Sequence, residues 1–148
     1  MDETKPLYIP DASVLHKWFV EEKEDHVEQA LALRDAYWKT NEVRLAIPHY
    51  ALAEIANAMG RDLPLDAATA NFSRLLTFSL QEYSISLELT SLAFELMAKY
   101  PKTSFYDAGY HALALFAGGT FVTADEKYYA KTRKEGRVML LKDYGKKH

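Results

Sequence analysis

Four acids stand where carboxylates can do chemistry. Asp11, in YIPDASVLHKWF (8–19), follows a short apolar run and precedes a stretch that reads as a helix. A carboxylate there can cap the helix, hold a metal or take up a phosphoryl group, and its companions decide which. Asp125, in FVTADEKYY, repeats the arrangement, and Asp107, in TSFYDAGYHALAL, falls near the start of a late helical stretch. Glu54, in HYALAEIANAMG, has Asn57 one turn later, and the two are nearly the only polar groups between Tyr50 and Met59.

Taken singly, each acid has an ordinary explanation. Asp is a favoured N-cap, worth about 1 kcal/mol. Ser104 with Asp107 three residues on resembles a capping box with Asp in place of Glu. Tyr50, Glu54, Asn57 and Arg61 can form a solvent-facing stripe. Convergence would be different, because two carboxylates about 4 Å apart repel by roughly 4 kcal/mol at an effective dielectric of about 20. Such a gathering calls for a cation or for raised pKa values. With no Cys in the chain, a metal must sit on oxygen or imidazole, and all-oxygen ligands favour Mg²⁺ or Mn²⁺. A metal so held polarises a phosphodiester and lowers the pKa of bound water, so phosphodiester hydrolysis is the natural reaction class.

The elements that must position these acids alternate. Apolar runs at 6–10, 44–48, 82–87, 119–123 and 137–141 read as strands covered on both faces. Helical spacing marks 24–40, 49–59, 65–78, 87–99, 104–117 and 126–134. Pro48, Gly60, Pro64, Pro101 and the pair Gly118–Gly119 punctuate the joints. Such alternation predicts an α/β fold with a short, mainly parallel sheet of about five strands between two helical layers. Its ligand crevice would lie at the carboxyl ends of the strands, where Asp11 and Asp125 share one edge. No linker, repeat or low-complexity segment divides the chain, so one domain over 1–148 is expected.

DASVLHKWF, PHYALAEIANAM and YDAGYHALALFAGGTFVTADEKYY together resemble the successive acidic motifs of PIN-domain proteins, particularly VapC-type toxin ribonucleases. The order carries the likeness: Asp after the first strand, Glu in a helix with Asn one turn on, Asp early in a late helix, then Thr-Ala-Asp after the next strand. By that resemblance Asp11, Glu54, Asp107 and Asp125 are the catalytic, metal-binding acids, with Ser13 and Thr123 as hydroxyl neighbours and Asn57 as a polar support. It implies a Mg²⁺- or Mn²⁺-dependent endoribonuclease, homodimeric and silenced by a cognate VapB-type antitoxin. Ser13 and Thr123 have no His at a nucleophile's spacing, so positioning roles are assigned to them. His111, four residues after Asp107, is expected to pack rather than to ligate.

Charge divides the chain. From Lys127 onward there are eight Lys or Arg against two acids, and before it ten against nineteen. A basic tail can meet RNA phosphates through Lys127, Lys131, Arg133 and Lys134, or can be a solvated terminal helix. The acidic start lacks the apolar stretch of a secretory signal and no run is long enough to span a membrane, so a cytoplasmic protein is expected. Two other acid-bearing architectures fit poorly: a haloacid-dehalogenase-like phosphatase needs Asp where Ser13 stands, and a receiver domain needs an acceptor Asp within EYSISLEL. Open alternatives are a PIN nuclease of RNA processing outside a toxin–antitoxin pair, and a PIN-like RNA-binding or assembly module without nuclease activity.

Overall fold

The computed structural model describes residues 3–20 and 24–146. Five short strands, β1 (Leu7–Pro10), β2 (Arg44–Pro48), β3 (Gln81–Tyr83), β4 (Thr120–Thr123) and β5 (Val138–Leu140), form an all-parallel sheet in the order β3-β2-β1-β4-β5. Their side chains explain the placement. Ile9, Leu45, Ile47, Phe121 and Val122 are almost fully buried, as strands covered on both faces require.

Parallel strands need helical crossovers. The described residues supply α1 (Ala12–His16) and α2 (Val27–Trp38) after β1, α3 (Tyr50–Asp62) and α4 (Leu65–Thr77) after β2, α5 (Leu87–Lys99) and α6 (Phe105–Ala117) after β3, and α7 (Glu126–Thr132) after β4. The chain steps outward from β1 to β3, then crosses to β4 on the other side of β1. With right-handed connections, α1–α4 cover one face and α5–α7 the other. The reversal between β1 and β4 makes a switch point at their carboxyl ends, which is where Asp11 and Asp125 lie.

Boundaries differ from the sequence reading where local chemistry wins. The third strand stops at Tyr83 rather than 87, because the Ser86 hydroxyl accepts from Leu89 N–H (3.2 Å) and opens α5. Helix α3 runs past Gly60 to Asp62 and ends where Leu63, preceding Pro64, turns extended (φ −120°, ψ 151°). Helix α7 ends at Thr132, and Arg133–Glu135 tighten into a 3₁₀ turn. Gly119 is needed for close approach: a Cβ there would lie 2.8 Å from the Leu7 carbonyl oxygen. No helix among the described residues is long and apolar enough to cross a membrane.

A candidate acidic site at the carboxyl edge of the sheet

Asp11 caps α1 and is gripped from two sides. Its Oδ1 accepts from Val14 N–H (3.0 Å) and the Ser13 hydroxyl (2.6 Å), and its Oδ2 accepts from the Thr123 hydroxyl at the end of β4 (2.7 Å). Asp11 is thus a helix cap whose second oxygen is held by the neighbouring strand end. Thr123 is buried and also accepts the Asp125 amide (3.1 Å), so one hydroxyl couples the two strand ends. Asp125 caps α7 by accepting from Tyr128 N–H (3.0 Å).

Glu54 comes from α3. It is half-buried, and its Oε1 accepts from the Tyr110 hydroxyl of α6 (2.7 Å). The predicted stripe splits accordingly. Tyr50 and Glu54 turn toward α6, with the Tyr50 hydroxyl donating to Tyr106 O (2.7 Å), whereas Asn57 and Arg61 are exposed. The Asn57 side chain makes no hydrogen bond among the described residues, and Arg61 is held by its neighbour Asp62 (2.8 Å). Asp107 sits in the first turn of α6, where the Ser104 hydroxyl caps its amide (3.1 Å).

Electrostatics tie these acids together. Burial pushes the Asp11 carboxyl above its ordinary range, against the pull of its hydroxyl and amide donors. Glu54 is raised by desolvation and by the charges of Asp11 and Asp107, while the Tyr110 hydrogen bond opposes the rise. Asp107 is raised by desolvation and by Asp11 and Asp125, with Ser104 and Lys131 working the other way. The buried hydroxyls of Tyr50 and Tyr110 are pushed far up as well, first by desolvation and then by Glu54. A deprotonated phenol there is out of reach, so both rings act as donors.

The donor set is all oxygen, which suits Mg²⁺ or Mn²⁺. Among the described residues no three His, Asp or Glu side chains converge closely enough to hold a metal ion as they stand. That is compatible with an ion that keeps several waters and takes one or two carboxylates at a time. An open cleft of about 920 Å³ between α1 and α3 reaches one of the four acids, Glu54, and is lined also by Ser13, His16, Arg61 and Asp62 among others. Its far wall is fastened by His16 Nε2 against Asp62 Oδ2 (3.2 Å).

His111 takes no part. It is fully buried on α6, where its Nε2–H donates to Gly136 O and its Nδ1 accepts from the Tyr128 hydroxyl (both 2.8 Å). Desolvation lowers its pKa, which keeps this neutral tautomer in place. The four basic residues divide. Lys131 donates to Pro101 O and Lys102 O (3.4 Å each), and Lys134 lies over the Tyr100 ring (5.4 Å). Lys127 and Arg133 are exposed, with side chains unpaired among the described residues. Tyr110 escaped the sequence reading because a helix-spaced aromatic looks like core. The one signal was its place one turn after Asp107.

A sequence-family model described as PIN domain matches residues 8–134. A search of curated proteins finds no match. Among solved structures, the chain is similar to Mycobacterium tuberculosis VapC20, a sarcin-ricin loop cleaving toxin, with 18% identity over 83% of this chain and 93% of that one and a TM-score of 0.64. It is similar to VapBC2 from Rickettsia felis, solved on a DNA fragment from their promoter, with 16% identity, 90% and 96% coverage and a TM-score of 0.66. It is similar also to PAE2754 from Pyrobaculum aerophilum, with 27% identity, 92% and 84% coverage and a TM-score of 0.58.

Proposed function

The chain belongs to the PIN domain family, and from that premise we propose that it is a metal-dependent endoribonuclease, the toxin of a VapBC-like toxin–antitoxin pair. The observation that carries the reading is electrostatic. Asp11, Glu54 and Asp107, drawn from three different helices' ends and faces, all have carboxyls raised first by burial, and the charge of Asp11 raises Glu54 and Asp107 further at the switch point of a parallel sheet. Capping does not account for the gathering, since of these three only Asp11 caps a helix.

Asp11, Glu54, Asp107 and Asp125 are the carboxylates that would hold Mg²⁺ or Mn²⁺, one or two at a time, and the ion would supply counter-charge for the scissile phosphate and acidify a water. The chain's own groups do the rest. Ser13 and Thr123 spend their protons on Asp11, which orients both its oxygens and leaves neither hydroxyl as a nucleophile. Thr123 fixes Asp125 through its amide, and Tyr110 holds Glu54. Water adds across the P–O3′ bond, leaving a 5′-phosphate and a 3′-hydroxyl. Lys127 and Arg133, whose charged heads are unengaged, are assigned to the phosphate backbone; Lys131 and Lys134 reach it only by giving up the contacts they now make. In this reading the protein acts as a single domain and a homodimer in the cytoplasm, with a VapB-type antitoxin as its partner; the antitoxin is supported by the toxin–antitoxin complexes among its structural neighbours.

The test is cleavage of a total-RNA pool by wild type and Asp107→Asn, each with Mn²⁺ and with EDTA. Wild type is expected to cut only with Mn²⁺ and to leave 5′-phosphates, and the variant to lose cutting while staying folded. Equal cutting by both, or cutting in EDTA, overturns the assignment. RNA binding without cleavage by either protein would make the domain a binding or assembly module instead.

A further inference from the structure

We infer that Tyr110 is a positioning residue of the acidic site, its hydroxyl fixing the Glu54 carboxylate of α3 against the first turn of α1. The inference rests on the nuclease reading and adds a residue to it. The phenol oxygen accepts from Ala12 N–H (3.2 Å), the amide next to Asp11, and donates to Glu54 Oε1 (2.7 Å). Because the incoming amide supplies a proton of its own, the phenol's single proton is left for Glu54. The phenol proton is thus directed at Glu54, whose ionised carboxylate accepts it.

The clamp is stiff. Tyr110 is 2% exposed, its ring stacks on Phe121 of β4 (5.5 Å, 4° between planes), and Tyr50 meets it edge-on (5.4 Å, 79°). Tyr50 is itself fastened to Tyr106 O and occupies the space that Gly109 leaves by lacking a Cβ. One hydroxyl thus joins α6, which carries Asp107, to α3, which carries Glu54, and to the residue that follows Asp11. The hydroxyl links three of the four acid-bearing segments, with Glu54 lying 56 residues and Ala12 98 residues away in sequence. A side chain needed only for packing would be served by phenylalanine. The oxygen adds nothing to the Phe121 stack, and both its bonds go to the site's own framework.

The experiment is a calorimetric titration of Mn²⁺ into full-length wild type, Tyr110→Phe and Leu96→Ala, well below their unfolding temperatures, with thermal unfolding in EDTA measured beside it. Leu96 is buried in the separate α5–α6 cluster, so its truncation lowers stability without touching the clamp. Groups that orient ligating carboxylates are worth about 10- to 100-fold in metal affinity. Tyr110→Phe is expected to weaken Mn²⁺ by about that factor while remaining folded, and Leu96→Ala to melt lower with unchanged Mn²⁺ affinity. Wild-type affinity in Tyr110→Phe, or equal weakening in both variants, overturns the role of the hydroxyl and leaves the nuclease reading standing. Absence of saturable Mn²⁺ binding by wild type overturns both. Should Tyr110→Phe fail to fold, Ala12→Pro tests the clamp from its other side. Proline is tolerated at the first position of a helix; there it removes the amide donor and sets a ring carbon against the phenol oxygen in its place. Weaker Mn²⁺ binding in Ala12→Pro supports the proposal, and unchanged binding overturns it.

Discussion

Replacing Asp11 by Asn separates its two jobs. In the metal-free protein the substitution removes a desolvated charge that faces Glu54 and Asp107, which favours the variant. It also exchanges charge-assisted hydrogen bonds, worth about 1.5–3 kcal/mol each, for neutral ones worth about 0.5–1.5. The geometry limits the loss. Asn Oδ1 can keep the Ser13 hydroxyl and the Val14 amide, and its Nδ2 can donate to Thr123, whose oxygen has a second lone pair beside the one used by the Asp125 amide. Asn also caps helices about as well as Asp. The terms nearly cancel, and Asp11→Asn in EDTA should unfold within about 1 kcal/mol of wild type. With Mn²⁺ at about 100 times the wild-type Kd the two must part. Binding to the native state adds about 2.7 kcal/mol, which at roughly 2–4 °C per kcal/mol for a chain of this size raises wild-type Tm by about 5–11 °C. The variant should show little of that rise. Thermal unfolding followed by circular dichroism, with EDTA and with Mn²⁺, reads both numbers. An equal Mn²⁺-induced rise in the two proteins would refute the ligand role. A loss of more than about 3 kcal/mol in EDTA would refute the near-cancellation and show that the charged carboxylate itself stabilises the metal-free fold through its hydrogen bonds.

Three further outcomes follow from the same geometry. Carboxyls held above their ordinary pKa bind more protons folded than unfolded, so metal-free stability should be full below about pH 4 and fall as pH rises through the raised values of Asp11, Glu54 and Asp107; Asp11→Asn should flatten that slope in urea titrations from pH 4 to 7, and an unchanged slope would remove the cluster as its cause. Gly60→Ala and Gly109→Ala should differ in sign: a Cβ at Gly60 meets nothing and should gain about 0.5–1 kcal/mol in α3, whereas one at Gly109 lands on the Tyr50 hydroxyl and should cost about 1–2 kcal/mol net in chemical denaturation. His111→Leu should cost about 2–4 kcal/mol by orphaning Gly136 O and the Tyr128 hydroxyl, yet show the same Mn²⁺-induced rise in Tm as wild type, because the imidazole lies outside the site.

Much of the scaffold was legible because its signals are local. Short apolar runs bounded by Pro and Gly mark buried parallel strands, and the Asp11 and Asp125 contexts match because both end neighbouring strands at a switch point. Ser86 and Pro64 also speak locally, yet the apolar alternation through 82–87 and the gap at Gly60 pulled the expected boundaries away from them. What the sequence hid depends on contacts across the fold. Tyr110 reads as core until α3 and α1 are brought to its hydroxyl. Lys131 and Lys134 read as free cations until the α5 terminus supplies Pro101 O, Lys102 O and the Tyr100 ring. Asn57 reads as Glu54's companion by its one-turn spacing, but that turn carries it past the edge of the packed face into solvent.

The choice of donors around the acids bears on function. A protein that needed only to neutralise buried carboxylates would place Arg or Lys against them, since an opposite charge within about 4–6 Å lowers a carboxyl's pKa by 1–3 units. Here Asp11 and Glu54 are met by Ser13, Thr123 and Tyr110 hydroxyls instead. Neutral donors orient carboxylate oxygens and soften their desolvation without cancelling their charge, so the site keeps its net negative potential and its carboxyls stay raised. The lysine that does act on the cluster, Lys131, works on Asp107 from a distance while its ammonium is bonded to the Pro101 and Lys102 carbonyls. Stability is thereby given up in the metal-free state, and a bound cation would return it, which is the arrangement expected if the cation is what the acids are for.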